Sequence, residues 1–343
     1  MALTAGFVVT ILVLGVLVHS ITRDLSAAWT GTGFNPFQVV ASRDNGNGQP
    51  PLPGDPTPTI PLPEVTPVPW NGKTRVTILL LGLDFRDWQN AVGAPRSDTM
   101  ILVSIDPVTR KVSILSIPRD LWIEIPGFRH NRINTAYSSG EGNRLPGGGP
   151  GLAMKAVESL VGVPIQYYAV VDFGTFERLI DEIGGVDVLV KDRIKISPLG
   201  RPSRWLEAKP YHLDGAETLA YARTRRGPGG DFSRAERQQQ VALAILDRVV
   251  GFDMIGQLVA KAPILYQQLA SGVRTNMSLD EMIALAWLGA SIDKADIQQE
   301  VISPPNMVGF HTTDTGAKVL RPVPSEIRKL RDKLFVDTSL ISQ

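Results

Sequence analysis

Residues 76–120 read VTILLLGLDFRDWQNAVGAPRSDTMILVSIDPVTRKVSILSIPRD. Val76–Leu83 and Met100–Ile105 are short apolar runs, and Lys111–Ile117 alternates with period two, as a strand with one polar face does. Asp106-Pro107-Val108-Thr109-Arg110 is too short for a crossover, so the second and third strands are expected to be antiparallel. If the first strand also opposes the second, three segments meet at one end of the sheet. They are Asp84 after the first strand, Arg96-Ser97-Asp98-Thr99 before the second, and Pro118-Arg119-Asp120 after the third. Phe85 to Pro95 is long for a hairpin loop, and long loops often carry function.

Further along, helical patterns at Gly151–Val161 and Thr175–Ile183 lie among strands at Tyr167–Val171 and Val186–Val190. Helices are then expected at Gly215–Ala222, Ser233–Val250 and Leu279–Leu288. This mixture predicts an α/β fold in which a mixed central β-sheet is flanked by helices on both faces. The 343 residues, 43% apolar and 20% charged, can bury a substantial core. A net charge of +1 argues against a general nucleic-acid binder. The absence of cysteine excludes disulfides and thiolate chemistry, and four scattered histidines do not have zinc-ligand spacing.

Ala2–Ile21 carries no charged residue, and twenty residues match a hydrocarbon core of about 30 Å. A transmembrane anchor over 1–22 is expected; a cleaved signal peptide and a buried core helix are the alternatives. Nine prolines between 50 and 69, after Asn45-Gly46-Asn47-Gly48, favour extended polyproline II. Residues 23–69 therefore read as a juxtamembrane, Pro-rich spacer, and 70–343 as the folded body. No Lys or Arg precedes the span and Arg23 follows it, so local charge does not support an outward-facing body.

Three clusters carry chemistry. Asp84 and Asp98, if brought together, repel unless a proton or a cation lies between them, and a hard divalent ion suits two carboxylates. Pairing of each with an arginine is the structural alternative. In an extended segment Arg223 and Arg225 point to one side, which suits a phosphate between two guanidinium forks; a solvated basic loop is the alternative. Ser233 and Glu236 have capping-box spacing, and Arg234, Gln238, Val241 and Ile245 share one helical stripe. A cation in a first helical turn opposes the helix dipole, unless an anion docks there or an aspartate pairs with it.

The chain resembles the LytR–CpsA–Psr cell-wall ligases over essentially its whole body. Ile78–Asp84, Arg96–Met100, Ser116–Asp120, Arg132–Tyr137, Ile183–Val188, Leu213–Gly215, Tyr221–Arg225, Asp231–Gln239 and Thr275–Ser278 carry the likeness. It implies a single-pass protein of the cell membrane with an extracytoplasmic α/β domain. It further implies Mg²⁺ (or Mn²⁺) on Asp84 and Asp98. Arg96, Thr99, Arg119, Arg223, Arg225, Arg234 and Gln238 would hold the pyrophosphate of a polyprenyl-linked glycopolymer. The implied activity is a phosphotransferase moving that polymer to a peptidoglycan hydroxyl, with Asp84, Asp98, Arg119, Arg223 and Arg225 catalytic. The alternative is a non-catalytic polyprenyl-pyrophosphate-binding or regulatory protein.

Overall fold

A computed structural model describes residues 73–83, 94–225, 230–251 and 272–335, except 279, 280, 282, 283, 286, 287, 290 and 291. The expected anchor and spacer, Asp84 and most of the helix expected at Leu279–Leu288 lie outside the described residues. No helix among the described residues is long and apolar enough to cross a membrane.

Six strands form the central sheet in the order β11-β6-β1-β2-β3-β12. They are β1 (Val76–Leu83), β2 (Ser97–Asp106), β3 (Lys111–Ser116), β6 (Tyr167–Asp172), β11 (Val273–Thr275) and β12 (Ile297–Val301). β1 and β2 pair antiparallel, as do β2 and β3, while β6 runs parallel to β1 and β12 parallel to β3. The carboxyl ends of β1, β3, β6 and β12 thus meet the start of β2 along one rim, where open α/β sheets usually bind ligands. The β2–β3 turn closes through Asp106, whose Oδ1 accepts from the N–H groups of Val108 and Thr109 at 2.9 and 3.1 Å.

Helices cover both faces. On one face lie α3 (Phe173–Glu182), α4 (Gly215–Arg223) and α5 (Gly230–Gly251), burying Leu179, Leu80, Ile101 and Ile245 in a common core. The other face carries α1 (Thr135–Gly142), α2 (Gly148–Val161) and α6 (Pro324–Phe335), with β4 (Trp122–Glu124) and β5 (His130–Arg132). There Leu79, Leu102, Tyr137, Val157 and Leu330 pack together. Small hairpins complete the chain: β7 (Val186–Leu189) pairs with β10 (Pro210–Leu213), β8 (Ile194–Ile196) with β9 (Arg204–Leu206), and β13 (Val308–Thr312) with β14 (Lys318–Pro322).

Three local expectations change. β3 has no solvated polar face: Ser113 and Ser116 are buried, with Ser113 donating to the Leu334 carbonyl at 2.6 Å and Ser116 accepting from Gln239 at 2.9 Å. Helices close both sides of the strand, so its serines serve as internal hydrogen-bonding groups. α5 starts at Gly230, three residues before the expected cap, so Ser233 lies inside the helix and its hydroxyl donates to Gly230 O at 3.0 Å. The segment from Arg223 to Arg225 is not extended throughout. Arg223 ends α4, and Thr224 after it has extended backbone, at φ −64° and ψ 135°.

Candidate functional site

The rim is built from strand ends and two helix termini. Asp98, one residue into β2, is its centre. Its Oδ2 accepts from Arg119 at 2.5 Å and lies 3.5 Å from Arg225; its Oδ1 accepts from Asn134 Nδ2 at 3.3 Å. Arg119 comes from the loop after β3, and its Nε lies 3.6 Å from Asp120, which Arg132 meets at 2.9 Å. Arg234 is 5% exposed and its guanidinium reaches the Asp98 carbonyl at 3.5 Å, the long limit of a hydrogen bond. Because α5 starts early, Arg234 stands beyond the first turn, where its opposition to the helix dipole is weaker.

Gln238 lies one turn further along α5 and donates from Nε2 to Thr99 Oγ1 at 3.0 Å. Thr99 owes its position to Gly82, its partner across β1 and β2. A Cβ on Gly82 would stand 2.9 Å from the Thr99 Cβ, and the register slips immediately afterwards. Such irregularities commonly re-aim a side chain beside a site.

Arg223 ends α4 with its guanidinium 4.4 Å from the Phe173 ring centroid, a cation–π contact that fixes the fork over the start of α3. The α4–α5 junction is held by Arg237, which donates to the carbonyls of Tyr221 (3.2 Å) and Thr224. Burial lowers the Arg237 pKa from its usual value. Guanidinium groups outnumber the described carboxylates around Asp98, a charge balance suited to a polyanion.

Two adjoining cavities open from these residues. A polar one of about 430 Å³ is lined by Asp98, Arg223, Arg225, Arg234, Lys195 and Ser197 among others. An apolar one of about 120 Å³ runs between the sheet and α3–α5, past Leu80, Ile101, Phe176, Val241, Ala242 and Ile245. They share Thr99, Phe173, Arg223 and Gln238.

The structure therefore brings together Asp98, Thr99, Arg119, Arg223, Arg225, Arg234 and Gln238. Arg96 is exposed one residue before β2 and two before Asp98. Asn134, Phe173, Lys195 and Ser197 join the site without having been assigned to it from sequence. Asn134 was legible within the motif Arg132–Tyr137; Phe173, Lys195 and Ser197 carried no local signal.

A divalent ion fits this set in part. Mg²⁺ needs one or two carboxylates and completes its shell with water and phosphate oxygens. Asp98 Oδ1, held by one donor, has lone-pair capacity to spare. Among the described residues no group of three or more acidic or imidazole side chains could cage a metal.

Residues 55–334 match the LytR_cpsA_psr family. The chain is 37% identical over 275 residues to regulatory protein MsrR of Staphylococcus aureus, covering 79% of this chain and 76% of that one. It is 34% identical over 219 residues to the polyisoprenyl-teichoic acid–peptidoglycan teichoic acid transferase TagV of Bacillus subtilis, covering 62% of this chain and 52% of TagV. The crystal structure of B. subtilis TagV superposes with a TM-score of 0.62 at 29% identity, spanning 76% of this chain and 96% of that one. TagT bound to LI-WTA superposes with 0.59 at 26% identity, spanning 77% and 90%. The sheet order, the arginine-ringed rim and these likenesses agree: the chain belongs to the LytR_cpsA_psr family.

Proposed function

We propose that this chain is a phosphotransferase that moves a glycopolymer from a polyprenyl-pyrophosphate carrier to a peptidoglycan hydroxyl. One observation carries the reading. The cationic cavity and the apolar cavity share four lining residues and so lie side by side, the arrangement that a ligand with an anionic head and a hydrocarbon tail requires. The transferase name of TagV and its structural likeness point the same way.

In this reading Arg223, Arg225 and Arg234 hold the pyrophosphate, with Thr99 and Gln238 at the junction with the lipid. Arg119 faces the transferred phosphoryl group while Asp98 orients it. The acceptor oxygen bonds to the polymer-side phosphorus and its proton is lost. The bridging P–O bond breaks, and polyprenyl phosphate leaves with the bonding electrons. Fixed guanidinium groups stabilise the charge that develops on the equatorial and leaving oxygens, which is the main protein contribution in phosphoryl transfer. Mg²⁺ or Mn²⁺ on Asp98, with Asp84 as second carboxylate, would supply further charge neutralisation. Arg96, at the edge, would meet the substrate from outside. Residues 1–22 would anchor the chain in the cell membrane and 23–69 would space the extracytoplasmic body from it.

Arg119→Ala and Asp98→Ala should each reduce turnover of a lipid pyrophosphate at least 100-fold, with the thermal unfolding transition retained. Wild-type turnover in both would rule out the assignment. A second reading, a lipid-binding regulator without catalysis, draws on the regulatory name of MsrR. It predicts tight binding of the lipid with no turnover in the presence of Mg²⁺.

A further inference from the structure

The face of the sheet away from the apolar cavity carries a second depression of about 660 Å³. Trp122 and Glu124 on β4, His130 on β5, Arg321 on β14, and Arg328 and Arg331 on α6 line it. α6 contributes Pro324, Ile327, Arg328 and Arg331, a spacing that places them on one stripe.

The three arginines differ in circumstance. Arg331 lies 2.7 Å from Asp332, and its guanidinium rests over Gly162 at the end of α2, where a Cβ would stand 3.3 Å from it. A cation is favourable at a helix carboxyl end, so Arg331 has a structural account. Arg321 and Arg328 do not. Both are exposed, and neither makes a side-chain hydrogen bond or ion pair among the described residues.

One end of this groove adjoins the rim: Leu320, next to Arg321 on β14, donates its backbone N–H to the Asp120 carbonyl at 3.0 Å. Asp120 pairs with Arg132 on β5, and Arg132 Nη2 donates to the Lys318 carbonyl of β14 at 3.0 Å. The groove belongs to the layer of α2 and α6, whereas the apolar cavity belongs to the layer of α3–α5. In-line displacement puts the attacking oxygen opposite the leaving group. A lipid phosphate leaving on the α3–α5 side therefore calls for a nucleophile arriving from the α2–α6 side.

We propose that this groove binds the acceptor, an anionic glycan strand of the cell wall. Arg321 and Arg328 meet its carboxylates, and the rigid indole of Trp122 meets a sugar face. This assignment rests on the phosphotransfer reading of the rim for its direction, but its test does not depend on catalysis.

The full-length protein in detergent is sedimented with purified wall sacculi stripped of attached phosphate polymers. Arg321→Glu with Arg328→Glu should weaken sedimentation at least 10-fold at low salt. Raising the salt should weaken wild type in the same sense, because exposed charges are screened. Arg321→Lys with Arg328→Lys should retain most of the binding. In a transfer assay the charge-reversed protein should show a raised acceptor KM and an unchanged donor KM. Undiminished sedimentation of the charge-reversed protein would overturn the proposal, as would a shift confined to the donor KM. Arg119→Ala should sediment like wild type while inactive. If it instead keeps full activity, the rim reading fails while sedimentation still reports on the groove.

Discussion

Asp98 anchors two positive side chains from distant parts of the chain, Arg119 and Arg225, the latter 127 positions away. Removing its carboxylate would leave those guanidinium groups without the charge that spaces them, so Asp98→Ala affects the geometry of the phosphate pocket as well as any metal. A subtler residue-scale effect belongs to Gly82. Adding one methyl there forces Thr99 aside, since 2.9 Å is closer than Cβ atoms approach in folded proteins. Overpacking of this kind typically costs about 1–3 kcal/mol. Gly82→Ala should lower the unfolding midpoint and, by displacing the Thr99 hydroxyl from Gln238, weaken lipid-pyrophosphate binding several-fold. Thr99→Val, which exchanges the hydroxyl for a methyl of similar size, should weaken binding with a smaller stability change. Isothermal titration with a short-chain lipid pyrophosphate, paired with thermal melts, checks both.

At the scale of elements, α4 is the lever that carries Arg223 into the site. Its first turn is capped by Asp214, whose Oδ1 accepts from the Glu217 N–H at 2.9 Å while Oδ2 meets Arg201 at 2.5 Å. Burial pushes this carboxyl up, but the Arg201 pairing and the backbone N–H groups of Glu217 and Ala216 outweigh it and hold it below the usual range. Asp214→Ala should cost about 1 kcal/mol at neutral pH, the ordinary value of such a cap. A depressed carboxyl contributes stability that is present above its unfolded value of about 3.9 and lost as pH falls through the lower folded value. The gap between wild type and Asp214→Ala should therefore narrow below pH ~4, as urea unfolding at pH 7 and pH 3 would show. Element boundaries show how far local reading carries. β1 runs over the expected Val76–Leu83 because a dense apolar run bounded by polar residues has few alternatives. The start of α5 was misplaced because a Ser–Glu spacing that often caps a helix also occurs inside one, and Gly229-Gly230 gave no periodic signal.

Across the whole molecule, the sheet separates two chemically different halves. One core, beneath α3–α5, retains an apolar cavity that opens at the cationic rim; the other, beneath α1, α2 and α6, is capped by the arginine-lined groove. Ala242 is 3% exposed and lines the cavity on α5. Ala242→Phe should fill the space, lowering affinity for a long-chain polyprenyl pyrophosphate at least 10-fold. A water-soluble short-chain analogue should bind within about twofold of wild type. Equal losses for both would show that the cavity does not take the hydrocarbon tail. Such a division of labour was not visible in the chain order, since Val241, Ala242 and Ile245 look the same whether they seal a core or line a ligand's path.

The sequence by itself determined β1, β2, β3, β6 and β7, the helices α2 to α5, the mixed α/β class and the family motifs, because periodicity and turn chemistry are local properties. It also singled out Asp98, Arg119, Arg223, Arg225 and Arg234 through charged residues at strand and helix ends, Gln238 through its helical stripe and Thr99 through the family motif. Only the tertiary structure decided which of them meet. Asp98 takes Arg119, Arg225 and Asn134 as partners, and Phe173 enters beneath the Arg223 guanidinium from a segment that gave no site signal. The tertiary structure likewise decided that Arg321 and Arg328 share a groove with Trp122, some 200 positions earlier in the chain. The physical reason is common to all of these: side-chain neighbours across a sheet are fixed by strand register and helix docking, which depend on burial summed over the whole fold.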